Sequence, residues 1–272
     1  MAHSAAPPPT DPYGDYRRLN DQAARTAIEG DEFFIAEGPT AIARLIASGH
    51  RVRSVLLTQA AYDRMADDTD SGLDGLDAPI HVVSRAELAE IVGFDLHRGA
   101  VAAADRRPPP SLDEVLRSSH TIAVLEGLND PENLGAIARS ARALGVDALV
   151  VDPRCIDWYY RRSVRVSMGA VLTLPVVRAT PWPDALDTIA GHGFETWAMT
   201  PADDAVSLWD RGLAMPERLA VVLGAEGPGL ESATMARCHR RVRIPVDDAV
   251  DSLNVGAAAA VVFAERARSA GH

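Results

Sequence analysis

NDPENLGAIARSARALG at residues 129–145, VVLGAEGPGL at 221–230 and RIPVDDAVDSLNVGAAAAVVFAE at 243–265 follow one another in the second half of the chain, and each sits where an apolar strand meets a loop or helix. Ahead of the first, HTIAVLEGL (120–128) is a β-rich apolar run, closed by the turn residues Asn129, Asp130 and Pro131. Asn133 then reads as a helix cap, with helix to Leu144 and Gly145 as its stop. RLAVVLG (218–224) is a second buried-looking strand, and it enters a glycine-rich turn with one carboxylate, Glu226, where Gly227 and Gly229 permit close backbone approach. RVRIPV (241–246) is a third strand. It leads through an acidic loop to Ser252, read as the cap of a long apolar helix over about 253–268.

Working outward, strand-like runs at 120–128, 147–151, 172–178, 195–200, 218–224 and 241–246 alternate with helical segments. That alternation predicts an α/β domain with a mostly parallel sheet and helices on both faces. A ligand is then expected at the carboxyl ends of the strands, where all three stretches begin. Upstream, DRRPPPS (105–111) interrupts the apolar pattern and reads as a linker. Before it, TAIARLIAS (40–48) is amphipathic, VRSVLLT (52–58) and IHVVS (80–84) are strand-like, and residues 85–92 are helical, which makes a small α/β domain. The expected map is a disordered tail at 1–15, a small domain at 16–104, a linker at 105–112 and a large domain at 113–272.

Composition narrows the function. The chain has 272 residues, 47% of them hydrophobic, enough for one large or two ordinary globular domains. MAHSAAPPPTDPYGD has neither a basic start nor an apolar core segment, and no apolar run reaches membrane-spanning length, so a cytoplasmic protein without a membrane partner is expected. Cys155 and Cys238 lie far apart without CxxC spacing, which disfavours a zinc site, a redox pair or a catalytic thiol. The net charge of −11 argues against nucleic-acid binding over the whole surface but leaves room for a local basic patch. All 27 basic residues are arginine, and several cluster: Arg106 and Arg107; Arg161, Arg162 and Arg165; Arg237, Arg240, Arg241 and Arg243. Each cluster is either a phosphate contact or an ordinary solvated face.

The glycine-rich loop at 224–230 lacks the GK[ST] ending of a phosphate-binding P-loop. No GxSxG elbow is present, no GxGxxG follows the first strand, and the eight histidines show no HExxH spacing. No metal is expected.

Taken together, Asn133 and Arg139 in the first stretch, Glu226 in the second and Asn254 in the third resemble the three motifs of the SpoU (TrmH-like) branch of the SPOUT methyltransferases. The resemblance spans roughly the last 150 residues. It implies a deep trefoil knot and transfer of a methyl group from S-adenosylmethionine to a ribose 2′-hydroxyl of structured RNA, ribosomal RNA favoured over transfer RNA. It also implies a homodimer. By the same analogy the cofactor lies against Thr200, Leu223, Gly224, Ile244 and Leu253. Arg139 is the family's catalytic arginine; a guanidinium is a poor base, so a clamp on a neighbouring phosphate and a stabiliser of the alkoxide is the favoured role. Asn133 and Asn254 would orient the ribose and Arg139, Glu226 would hold Arg139 or accept a hydrogen bond from the nucleotide, and Ser252 would organise the third motif. The alternative function is a catalytically silent RNA-binding or ribosome-assembly factor with the same fold.

Two departures stand out: Gly256 ends SLNVG where the family commonly has serine, and Trp158 replaces a common proline in a loop that could touch RNA. FFIAEGPTAIARLIASGHRVRSVLLT (33–58) resembles the L30e/L7Ae-like substrate-binding domain that many such enzymes carry. There Phe33, Glu37 and Gly38 either contact RNA or simply orient the first strand and helix, and the same choice applies to His97, Arg98 and Gly99.

Overall fold

The computed structural model describes residues 11–247 and 249–271. The chain divides into two compact units between Arg107 and Pro108. Residues 1–10 of the expected tail lie outside the described residues, while Gly14–Tyr16 form a 3-10 turn that buries Tyr16. Its hydroxyl donates to the Ser54 carbonyl at 2.7 Å.

The first unit comprises α1 (Gln22–Glu29), β1 (Phe33–Glu37), α2 (Pro39–Ala47), β2 (Val52–Thr58), α3 (Gln59–Ala66), β3 (Ile80–Val83), α4 (Arg85–Val92) and β4 (Ala100–Asp105). Its sheet has the order β1-β4-β2-β3, with β3 parallel to β2 and the other pairs antiparallel. Phe33 is buried in the core cluster beneath the Arg53 guanidinium, 4.5 Å from its ring. Gly38 and Gly99 adopt positive φ at strand ends, where the Gly38 amide donates to the Ala100 carbonyl and the Thr58 amide to the Gly99 carbonyl. These hydrogen bonds hold the strand ends in place.

The second unit comprises α5 (Leu112–Ser118), β5 (Thr121–Glu126), α6 (Pro131–Ala143), β6 (Ala148–Val151), α7 (Arg161–Val166), β7 (Val176–Arg178), α8 (Ala185–Gly191), β8 (Glu195–Met199), β9 (Val206–Ser207), β10 (Leu219–Gly224), α9 (Ser232–Arg237), β11 (Arg240–Arg243) and α10 (Val255–Ser269). Its sheet runs β7-β6-β5-β10-β8-β11-β9, and every pairing is parallel. Alternate strand residues such as Ile122, Val124, Val150 and Val222 pack with Leu116 of α5 and Leu186 and Ile189 of α8. The intervening Ala123, Leu125, Val151 and Val221 are equally buried, because α6 and α10 pack on each other and α10 on β10. Burial on both faces is why these strands read as unbroken apolar runs rather than as alternation. The expected strand at 172–178 shortens to Val176–Arg178, since Ala170–Thr173 make a 3-10 turn. No helix among the described residues is long and apolar enough to cross a membrane.

Two expected caps move. Asp130, not Asn133, caps α6: its carboxylate accepts from the Glu132 amide at 2.9 Å, and Pro131 takes the first helical position. Asn254, not Ser252, caps α10, and its side-chain oxygen accepts from the Gly256 and Ala257 amides at 2.9 and 3.2 Å. Each correction releases a side chain for other work.

Candidate functional site

The chain departs from β5 first toward β6 and β7, then returns to the other side of β5 through β8, β9, β10 and β11. Such a reversal leaves a crevice at the carboxyl ends of the strands. A cavity of about 580 Å³ occupies this edge, at the ends of β8, β10 and β11. Thr200, Leu223, Gly224, Ile244 and Leu253 all line it, and so do Glu226, Ser252 and Asn254. Asn133 is buried on α6 and joins the rim through Asn254, whose Nδ2 donates to the Asn133 Oδ1 at 2.9 Å. The same Nδ2 donates to Glu226 Oε1. With Oδ1 already capping α10, the four hydrogen-bonding valences of the Asn254 amide are taken. One side chain therefore ties all three sequence stretches together.

Arg139 is not brought into this assembly. It is exposed on α6 and does not line the cavity. Six residues of α-helix amount to about one and two-thirds turns, so Arg139 projects roughly 120° around the helix from Asn133. Arg142, on the same helix, is exposed as well.

Gly224 is required for a reason internal to the chain. A Cβ there would lie 2.3 Å from the Gly229 carbonyl carbon and 2.5 Å from the Leu230 nitrogen, so the loop after β10 folds directly over the strand end. The Gly229 amide donates to the Ala225 carbonyl at 3.0 Å and closes that loop. At Gly227 and Gly229, which also line the cavity, no described atom lies near the Cβ position, and within the chain it is their φ of +84° and +69° that selects glycine. Gly256 lies where α10 meets α6, a Cβ there falling 3.2 Å from that of Ala136.

Most of the arginine clusters are absorbed by the fold. Arg237 pairs with Asp184 and Asp187, Arg240 with Glu195, Arg241 with Asp204, and Arg162 with Glu132. Arg243 differs: it lines the cavity, its Nε is buried, and its guanidinium has no partner among the described residues. Trp158 is half-buried, with the Arg178 guanidinium 5.6 Å from its ring.

Sequence reasoning missed a second polar centre on the same edge. Glu126 ends β5 at 1% exposure. It accepts from Thr234 Oγ1 at 2.8 Å, Trp182 Nε1 at 3.0 Å, the Glu231 amide at 3.1 Å and Arg154 at 3.2 Å. Asp152, fully buried after β6, accepts from the Arg154 and Cys155 amides at 3.0 and 2.9 Å and from Arg154 Nε at 3.0 Å. Burial alone would raise the Asp152 carboxyl; the hydrogen bonds from Cys155, the Gly127 backbone and Arg154 outweigh it and hold the group below the usual range. Burial pushes the Cys155 thiol up to about 12 and the Cys238 thiol up to about 11, so neither is a nucleophile near neutral pH. The only sequence signal for this centre was a carboxylate, Glu126, closing an otherwise apolar strand.

The SpoU rRNA Methylase family model matches residues 120–264. An uncharacterized tRNA/rRNA methyltransferase of Mycobacterium tuberculosis is 44% identical over 267 residues, covering 97% of this chain and 91% of that protein. Among solved structures, an RNA 2′-O ribose methyltransferase superposes with a TM-score of 0.75 at 28% identity, covering 97% of this chain and 98% of its own. The SpoU methyltransferase AviRb from Streptomyces viridochromogenes, in complex with AdoMet, shares the fold with a TM-score of 0.75 at 22% identity, covering 95% of this chain and 97% of its own. A family match over more than half of the sequence, at the strand ends that build the cavity, has one conclusion: the chain belongs to the SpoU rRNA methylase family.

Proposed function

We propose that the protein transfers a methyl group from S-adenosylmethionine to a ribose 2′-hydroxyl of RNA, with ribosomal RNA the favoured substrate over transfer RNA. The observation that carries this reading is the junction at Asn254, which holds Asn133, Glu226 and the start of α10 together at the mouth of the cavity. The cavity suits the cofactor: Leu223, Ile244 and Leu253 offer apolar walls for an adenine ring, and the Arg243 guanidinium, without a partner among the described residues, offers donors. When bound, S-adenosylmethionine supplies a methyl group on a cationic sulfonium.

The chain's residues then have separable tasks. Asn254, with its amide fully used, is a positioning residue. The Nδ2 of Asn133 and the second carboxylate oxygen of Glu226 make no hydrogen bond with any described residue, and they are the groups left to meet the nucleotide. A ribose hydroxyl ionises too weakly to react unaided near neutral pH, so charge developing on its oxygen needs stabilisation as attack proceeds. Arg139 supplies it, clamping the adjacent phosphate and the developing alkoxide. Because Arg139 points away from this chain's cavity, the reading includes a homodimer in which a second copy presents it. The outer side of α10 supports such a contact. Ala257 and Ala264 are exposed there, while Val255, Ala259, Val262 and Phe263 are buried within the chain.

The test is a comparison of 2′-O-methyl sites in total RNA from cells with and without the gene. One site that disappears with the gene and returns on re-expression is the expected result. Identical maps would favour the silent factor.

A further inference from the structure

Arg243 ends β11, and among the described residues it is the one basic side chain lining the cavity. The other charged groups in the lining are Asp203, Glu226, Asp247 and Asp251, all carboxylates. Its cluster neighbours are spoken for: Arg240 lies 2.5 Å from Glu195, and Arg241 lies 2.6 Å from Asp204. The Arg243 guanidinium makes neither a hydrogen bond nor an ion pair with any described residue, and its Nε is shielded from water. A buried N–H without an acceptor is costly, and of the described side chains with such an unpartnered buried atom, Ser163, Arg218 and Arg243, it is Arg243 that lines the cavity.

We propose that Arg243 recognises the carboxylate at the methionyl end of the cofactor. This rests on the reading of the cavity as the S-adenosylmethionine site. That molecule carries two cationic groups, sulfonium and ammonium, and one anionic group. Four carboxylates attract the cations and repel the anion, so Arg243 is the place in the lining where the carboxylate is favoured. The guanidinium fork also matches a carboxylate with two parallel hydrogen bonds. An RNA phosphate could use the same fork, but it would enter among four carboxylates without a cation of its own to offset them.

The test is calorimetry without RNA, using S-adenosylmethionine and its decarboxylated analogue, which differ at this carboxylate alone. The ratio of their affinities should shift at least about tenfold against S-adenosylmethionine in Arg243→Gln, as expected for a lost charge-assisted hydrogen bond. The analogue itself should bind the variant as well as it binds the wild type, or better. Arg243→Lys should give an intermediate ratio, and Arg240→Gln, outside the cavity, should leave it unchanged. A ratio unaltered in a folded Arg243→Gln, or equal losses for both ligands, overturns the assignment. In a separate titration with RNA, weakened binding by Arg243→Gln together with an unaltered ratio overturns it in favour of a phosphate contact. If the wild type binds neither ligand, the cofactor reading itself fails; if it binds both and Arg243 is indifferent, that reading stands and only this inference falls.

Discussion

The carboxyl edge of the large sheet carries two polar centres of opposite character. At the ends of β5 and β6, Glu126 and Asp152 are buried and saturated, their oxygens met by Arg154, Trp182, Thr234 and backbone amides. At the ends of β8, β10 and β11, the described residues that line the cavity include four carboxylates and one basic side chain, Arg243, which has no partner among them. Similar residue types on one edge thus do two jobs. Where every valence is filled, the network fastens loops: Glu126 holds the chain at Glu231 and Thr234, immediately after the glycine-rich loop. Where valences remain, the edge is built for something the chain does not itself contain.

The division makes unequal predictions for the two sides. The largest effect is expected from Arg139→Ala, which should lower methyl transfer by about a hundredfold or more while leaving cofactor affinity and dimerisation nearly unchanged, as for loss of a donor that acts in the transition state. Arg139→Lys should recover only part, and Arg142→Ala should retain activity. Equal losses at Arg139 and Arg142, measured by single-turnover methylation, would show that helix charge in general is what matters.

On the saturated side the effect should fall on stability. Glu126→Ala strips a buried carboxylate from Arg154 and leaves the Trp182, Thr234 and Glu231 donors without an acceptor, a loss of about 3 kcal/mol. Thermal unfolding checks this. A stable Glu126→Ala protein with defective catalysis would erase the distinction between the two centres.

A finer cut lies within the glycine-rich loop. Gly224→Ala drives a methyl group into the Gly229 backbone and should cost about 1–3 kcal/mol together with cofactor affinity. Gly227→Ala meets no atom and should cost only about 1 kcal/mol, from its positive φ. Similar costs for both would mean that the loop does not fold over β10 as described.

These examples show what the sequence could and could not disclose. The strand-to-loop junctions and the two-sided parallel sheet were legible because each depends on short, contiguous patterns; the residues around the cavity came only through the resemblance of the three stretches to a known family, since singly they read as ordinary turn or core residues. Who caps which helix was less so. Asp130 before Pro131 carried the cap signal for α6, yet Asn133 is the same kind of residue three positions on. Both misplaced caps hid the fact that mattered most: Asn133 and Asn254 meet across 121 residues of chain. The Glu126 network escaped altogether, since its bond to the Glu231 amide spans 105 residues and no local pattern announces it. Arg243 looked like one member of a cluster until its neighbours proved to be paired.

The smallest expected effect concerns acid. The Asp152 carboxyl is held below its ordinary value, so its stabilising contribution is present above the unfolded-state value near 3.8 and is lost as pH falls through the lower, folded-state value. The difference in melting temperature between wild type and Asp152→Asn should therefore narrow below about pH 4. A gap that widens there would contradict the hydrogen-bonding account of this residue.

The central claim, methyl transfer to a ribose hydroxyl, is tested most directly by incubating the protein with methyl-labelled S-adenosylmethionine and RNA lacking the modification, then digesting the product to nucleosides. The account predicts label in a 2′-O-methylnucleoside, present with the wild type and absent with Arg139→Ala. Label on a base, or none with any RNA from the cell, would contradict it.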